Sequence, residues 1–239
     1  KGDGSFEQEG KRLRKVPDLT MGQAAAQLAQ GRYGDAIASF QKAREFAASA
    51  QHYETLTAVG VSLISLYQQT GDPDTAIRAG EAVLAIPGLE FSYYSPELNV
   101  ALGDLYVRVG DQRAEKVLIN GIEGVRARND KGQAAYRLAH ACLEARAWDF
   151  LGSHHLNQGT LDKAGDAMRE SFRLRRLSCG RELALSYGRL ADYFLRTRDF
   201  DQSRTFVQAA LRSSVLPDAS LPRGELLELA ARIEAGSHN

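Results

Sequence analysis

The sequence predicts an all-α protein built from successive helix–turn–helix units. The fullest unit spans residues 148–174, in which Trp148, Leu151 and Gly152 share one face of a helix that Gly159 ends. Small and large residues then recur at helical spacing along a second helix, at Ala164, Met168, Ser171 and Phe172. We expect the small residues to allow close backbone approach and the large ones to fill the space around that contact.

Turn signals repeat along the chain and indicate how many units there are. The turn residues are separated by 40, 39, 49 and 39 residues. A regular interval of this length is typical of stacked helical repeats, in which each unit covers the apolar face of the next. The turn residues are Gly31, Gly71, Gly110, Gly159 and Arg198.

The elements follow in order from the N-terminus. Residues 1–19 are rich in glycine and then basic, and predict a flexible or capping lead-in. Residues 20–217 hold the repeats; the long interval before Gly159 predicts either one long helix, about 131–157, or an additional short helix. Residues 218–236 read as a C-terminal capping helix, and 237–239 as a tail. The buried face of the capping helix is predicted at Leu226, Leu229, Ala230 and Ile233.

The unit at 148–174 resembles the tetratricopeptide repeat, in its long variety of about 40 residues. His155 stands where the pattern has tyrosine, and the other pattern positions match. The resemblance covers most of the chain, from about Leu19 to about Leu216. It implies a right-handed α-solenoid of about five repeats with a capping helix, whose first helices line a concave groove.

Composition excludes several classes of function. Thirty basic residues balance thirty acidic ones, so no net charge attracts the chain to nucleic acid or to an anionic membrane. No apolar run approaches the roughly 20 residues that span a bilayer. Cys142 and Cys179 are too few for a disulfide framework, and we expect two free thiols in a reduced, cytoplasmic protein.

No constellation of residues indicates catalysis, a metal site or a cofactor. His154 and His155 are adjacent and point about 100° apart on a helix, while His140 lies about four turns away. We expect His155 in the core and His154 partly exposed. His140 and Cys142 face nearly opposite sides of one helix, which excludes a nucleophile–base pair.

The remaining hypothesis is a binding surface. We expect a non-enzymatic scaffold or adaptor that holds a peptide segment of another protein and regulates an attached or partner effector. The pattern leaves several first-helix positions polar, and these are the candidate groove residues. They are Ser62, Ser65, Gln69, Asp104, Arg108, Asp149, Ser153, Asn157, Arg189, Asp192 and Arg196.

An alternative is a nucleic-acid-binding or transcription-regulatory module that uses basic clusters. A cation near a helix C-terminus also stabilises the helix dipole, and this plain explanation is the favoured one. A terminal basic block at Lys11, Arg12, Arg14 and Lys15 is most simply a solvated segment. The internal clusters are Arg126, Arg128 and Lys131, and Arg173, Arg175, Arg176 and Arg181.

Overall fold

The computed structural model describes residues 20–129, 134–213 and 223–237. These residues form α-helices joined by short turns and two 3₁₀ segments, and they contain no strand, which confirms the predicted all-α helical-repeat (α-solenoid) fold. The chain divides into two compact units, Lys1–Val109 and Gly110–Asn239. In chain order the helices are α1 (20–29), α2 (Tyr33–Ser49), α3 (Tyr53–Gln69), α4 (Pro73–Leu84), α5 (Ser95–Val109), α6 (Ala114–Asn129), α7 (Ala134–Asn157), α8 (Leu161–Ser178), α9 (Leu183–Arg196), α10 (Phe200–Arg212) and α11 (Arg223–Ser237).

The predicted turns share one backbone conformation. All five turn residues have a left-handed φ, between 62° and 78°. In four of these turns the residue that follows donates its N–H to a carbonyl five positions back: Arg32 to Gln27 at 2.9 Å, Asp72 to Tyr67 at 2.8 Å, Thr160 to His155 at 2.9 Å and Asp199 to Phe194 at 2.8 Å. This hydrogen bond satisfies a free carbonyl at the end of the preceding helix and reverses the chain.

The first unit is held together by apolar packing. α2 packs on α3, α3 on α4, and α5 on both α3 and α4. Phe40 of α2 and Leu63 and Leu66 of α3 are fully buried in one cluster, which Ala24 of α1 joins. A buried hydrogen bond of 2.8 Å, from Ser39 Oγ to Gln27 Oε1, ties α2 to α1.

The second unit is organised around α7, which confirms the long-helix alternative. α7 is 24 residues long and packs on both α6 and α8. A Cβ atom at Gly152 would lie 2.8 Å from Met168 Cγ and 3.4 Å from the Ala164 carbonyl oxygen. The close approach predicted between the two helices is therefore present, and only glycine fits there without a shift of Met168.

Trp148 departs from the packing that its position predicts. Its neighbours Ala147 and Leu151 are buried, whereas Trp148 itself is partly exposed. The indole Nε1 donates to Glu144 at 3.4 Å, and the Arg126 guanidinium lies 5.6 Å from the ring centroid. Trp148 thus covers an ion pair at the edge of α6 and α7 instead of filling the interior.

The last described helix, α11, packs on α10 and α9. Leu226, Leu229 and Ile233 are buried and Ala230 packs against their cluster, so the predicted apolar face is confirmed. The helix begins at Arg223 and ends at Ser237. The predicted lead-in at 1–19, the residues 214–222 and the tail residues 238–239 lie outside the described residues.

Candidate binding clefts between first helices

All eleven predicted groove residues lie on the helices that precede the glycine or arginine turns, namely α3, α5, α7 and α9. The structure brings some of them together around two clefts, one in each unit. Ser62 of α3 is partly buried and lines neither cleft. The three candidates on α7 do not form a shared exposed surface.

The first cleft lies between α3 and α5 and has a volume of about 470 Å³. We name it the α3–α5 cleft. Three predicted residues, Ser65, Gln69 and Arg108, line it together, although α3 and α5 are separated in sequence by a whole helix. Its complete lining is Ser65, Gln68, Gln69, Pro73, Leu105, Arg108 and Val109.

Arg108 is the charged residue of this lining, and a neighbour on its own helix fixes its orientation. Its Nε donates to both carboxylate oxygens of Asp104, at 3.0 Å each, one turn earlier in α5. Its Nη1 and Nη2 atoms make no hydrogen bond to the residues that the structure describes, and 63% of the side chain is exposed. The outer edge of the guanidinium is therefore available to an acceptor from another molecule.

The second cleft lies between α9 and α11, with a volume of about 200 Å³. We name it the α9–α11 cleft. Asp192 pairs with Arg196 at 3.2 Å on the same helix and lies 3.9 Å from Arg232 of α11. The lining mixes charges of both signs over an apolar floor: Gly188, Arg189, Asp192, Glu225, Leu226, Glu228, Leu229 and Arg232.

Asp149 is not a surface residue, which corrects the groove assignment made from the sequence. It is buried in the second unit and pairs with Arg175 of α8. The Ser153 hydroxyl donates to the Asp149 carbonyl oxygen at 3.0 Å, so it bonds to the backbone of its own helix one turn earlier. Of the three α7 candidates, Asn157 alone is exposed.

The Arg175–Asp149 pair is the centre of a buried polar network that the sequence analysis missed. Arg175 is 1% exposed, and its Nη1 also donates to Ser186 Oγ at 2.8 Å and Ser171 Oγ at 3.2 Å. Its Nε lies 3.4 Å from Glu182 Oε2. One guanidinium therefore links α7, α8 and α9 with the short segment before α9.

Three cations of the two internal basic clusters pair with acidic neighbours. Arg126 contacts Glu144 at 2.7 Å, and Arg173 contacts Glu170 at 2.7 Å. The hydrogen bond to Arg173 also lowers the pKa of the Glu170 carboxyl. Arg175 is buried, and Arg128 donates to the Gly124 carbonyl oxygen at the end of α6. These contacts reduce the positive charge that the clusters present to phosphates, while Lys131 and the terminal block fall outside the described residues.

Both adjacent histidines are buried. His155 is in the core as predicted, whereas His154 is 5% exposed and corrects the expectation that it is partly exposed. Burial lowers the pKa of His155, although Glu115, whose Oε1 lies 3.8 Å from its Nε2, opposes that shift. Among the described residues no group of three or more His, Cys, Asp or Glu could hold a metal ion.

Cys142 and Cys179 form a disulfide, so the expectation of free thiols is wrong. Their Cα atoms are 5.6 Å apart, and the bond joins α7 to the C-terminal end of α8. In a pair of antiparallel helices, residues that are equally far in sequence from the connecting turn lie opposite each other. The cysteines lie 17 residues before and 20 residues after Gly159, and this symmetry is the signal that could have revealed the pair.

Within the described ranges no helix is both long and apolar enough to cross a membrane. No protein-family model matches the sequence, and no curated protein is similar to it in sequence. The fold, however, is similar to those of several solved structures; three of them are 16–18% identical to this chain, which shows a shared fold alone.

The first of these structures is BtubC (BKLC) from P. vanneervenii, with a TM-score of 0.58, 17% identity, and 92% of this chain and 96% of that chain covered. MamA has a TM-score of 0.55 and 18% identity, with 83% and 92% covered. Acl4, an assembly chaperone of RpL4, has a TM-score of 0.59 and 16% identity, with 92% and 86% covered.

Proposed function

We propose that this protein is a non-enzymatic scaffold, built from long-form tetratricopeptide-type repeats, that binds a segment of another protein along its first helices. The α3–α5 cleft is the observation that carries the proposal. It brings side chains of two consecutive first helices to one open cavity, and they offer hydrogen-bond donors, acceptors and apolar surface together. One of the fold neighbours is named an assembly chaperone of another protein, which fits a binding role.

Nucleic acid is not the partner we propose. Binding to phosphates depends on free cations, and the ion pairs of Arg126, Arg173 and Arg175 occupy cations of both internal clusters. A regulated effector domain, attached or separate, stays a prediction. So does the cytoplasmic location, although the disulfide is more typical of an oxidising compartment.

An affinity purification from native lysate, with nuclease added, tests the proposal. Ser65→Trp would fill the α3–α5 cleft from an exposed position. The control is Arg78→Trp, which adds the same side chain at an exposed position of α4 outside the cleft lining. We expect one set of proteins to be retained by the intact chain and by Arg78→Trp and to be lost with Ser65→Trp. Circular dichroism confirms that both variants fold.

Equal recovery with both variants would contradict binding in this cleft. Loss of the retained proteins on nuclease treatment, with nucleic acid recovered from the intact chain, would move the assignment to the nucleic-acid alternative.

A further inference from the structure

Arg108 gives the α3–α5 cleft a charge preference. It is the charged member of the lining, and its Nε is bonded to Asp104, while its two terminal nitrogens make no hydrogen bond to the described residues. Pairing along one helix also restricts the side-chain rotamers before any ligand arrives, which lowers the entropy cost of binding. The end of a guanidinium fits the two oxygens of a carboxylate.

Apolar surface adjoins this cation. Leu105 lies one helical turn before Arg108 and is buried at the base of the cleft, and Val109 is the next residue, with 43% of its surface exposed. Pro73 contributes from the start of α4. A ligand that pairs with Arg108 can therefore also bury an aliphatic side chain on the exposed Val109 and Pro73.

The opposite wall is neutral and can both donate and accept hydrogen bonds. Ser65, Gln68 and Gln69 of α3 line it, and Gln69 Nε2 lies 3.3 Å from Ser65 Oγ. Amide side chains match the alternating N–H and C=O groups of an extended backbone without selecting a side chain. They also carry no carboxylate that would attract a basic ligand.

From this lining we infer that the α3–α5 cleft binds an extended internal peptide segment in which an aspartate or glutamate neighbours an aliphatic residue. The inference rests on the proposed function and adds the chemistry of the partner. The acidic side chain pairs with the Arg108 terminal nitrogens, the aliphatic one packs on Val109 and Pro73, and the backbone bonds to the amides. The α9–α11 cleft has no such preference, because Glu225 and Glu228 accompany Arg189 and Arg232 in its lining.

Selection from phage-displayed random peptides of about a dozen residues tests the inference on the full chain. We expect enrichment of sequences with Asp or Glu beside Leu, Ile or Val. A capped synthetic peptide of the enriched sequence should bind Arg108→Gln about tenfold more weakly, because a charge-assisted hydrogen bond is lost. Arg196→Gln is the matched control, since Arg196 forms the same four-residue-spaced pair with Asp192 on α9 and lies outside the α3–α5 cleft.

The variant Ser65→Glu provides a second test, which does not depend on removing Arg108. A carboxylate on the opposite wall should select against acidic peptides and reduce their binding, and circular dichroism verifies the fold. Enriched peptides without acidic residues, or unchanged affinity in Arg108→Gln, would overturn the inference and leave the scaffold proposal standing. Failure to enrich any peptide would overturn both.

Discussion

The two compact units fill their interiors with different chemistry. Among the described residues of the first unit the buried polar side chains are all neutral: Gln27, Ser39, Thr55, Thr57, Ser92 and Ser95. The second unit buries the charged residues Glu144, Asp149 and Arg175 and two histidines, and it contains a disulfide within a few residues of Arg175. The first unit is therefore stabilised chiefly by apolar burial, whereas the second also depends on the ionisation and redox state of its side chains.

Breaking the buried Arg175–Asp149 ion pair should produce the largest difference in stability between the two units. Arg175→Met leaves Asp149 buried without its cation, which we expect to cost about 3–5 kcal/mol of unfolding free energy. Hydrogen exchange read by mass spectrometry should show the loss of protection in α7, α8 and α9, while α2 to α4 keep theirs. The double variant Asp149→Leu, Arg175→Met should recover most of the loss. Equal protection in Arg175→Met and the intact chain would contradict the role given to the pair.

Reducing the disulfide should have the next largest effect. The cysteines are 37 residues apart in sequence, and opening a closed segment of that length should lower the unfolding free energy by about 3–4 kcal/mol. Thermal unfolding with and without a dithiol reductant measures this. The Cys142→Ser, Cys179→Ser variant should match the reduced chain and show no response to reductant. Alkylation of both thiols in the untreated, denatured protein would show that the bond is absent.

Acidification should weaken the second unit selectively. Burial lowers the pKa of both His140 and His155, so the unfolded chain binds protons more readily than the folded one below the ordinary histidine pKa of about 6.5. The two neutral histidines therefore make their full contribution to the unfolding free energy above that pH. This contribution is lost as the pH falls through the pKa values of the histidines in the folded state. Unfolding by urea at several pH values measures the slope.

Replacement of His155 tests whether this histidine causes the pH dependence of the second unit. His155→Tyr supplies the residue that the repeat pattern has at this position and removes one titrating group. We expect a shallower pH slope in this variant, and the charged neighbours Glu115 and Lys163 stay in place. An unchanged slope would assign the pH dependence to other groups.

The smallest expected effect concerns the turn at Arg198. Its φ of 62° is left-handed, a conformation that a residue with a Cβ adopts at a cost. Arg198→Gly should raise the unfolding free energy by about 0.5–1 kcal/mol, and Gly159→Ala, at the equivalent turn, should lower it by a similar amount. Both changes are read from chemical unfolding. Destabilisation by Arg198→Gly would show that the arginine makes a compensating contact.

Local sequence signals predicted the helices and turns well, because glycine, proline and helical periodicity act through nearby backbone. The left-handed turns and the buried face of α11 follow from residues within a few positions of each other. The polar groove candidates were less predictable. Ser65, Gln69 and Arg108 meet because α5 packs on α3, whereas Asp149 turns inward because Arg175, 26 residues away, reaches it. Helical spacing alone does not distinguish a solvated carboxylate from one with a partner on the neighbouring helix.

Trp148 is the only tryptophan in the chain, and its surroundings make it an optical reporter. Its indole contacts Glu144 and stacks near Arg126, so its emission senses whether α6 and α7 remain in contact. Fluorescence of the unaltered protein, excited at tryptophan and not at tyrosine, therefore records events in the second unit and does not report on the first. Circular dichroism reports the helix content of both units. A difference between the fluorescence and circular dichroism curves during unfolding would show that the units do not lose structure together.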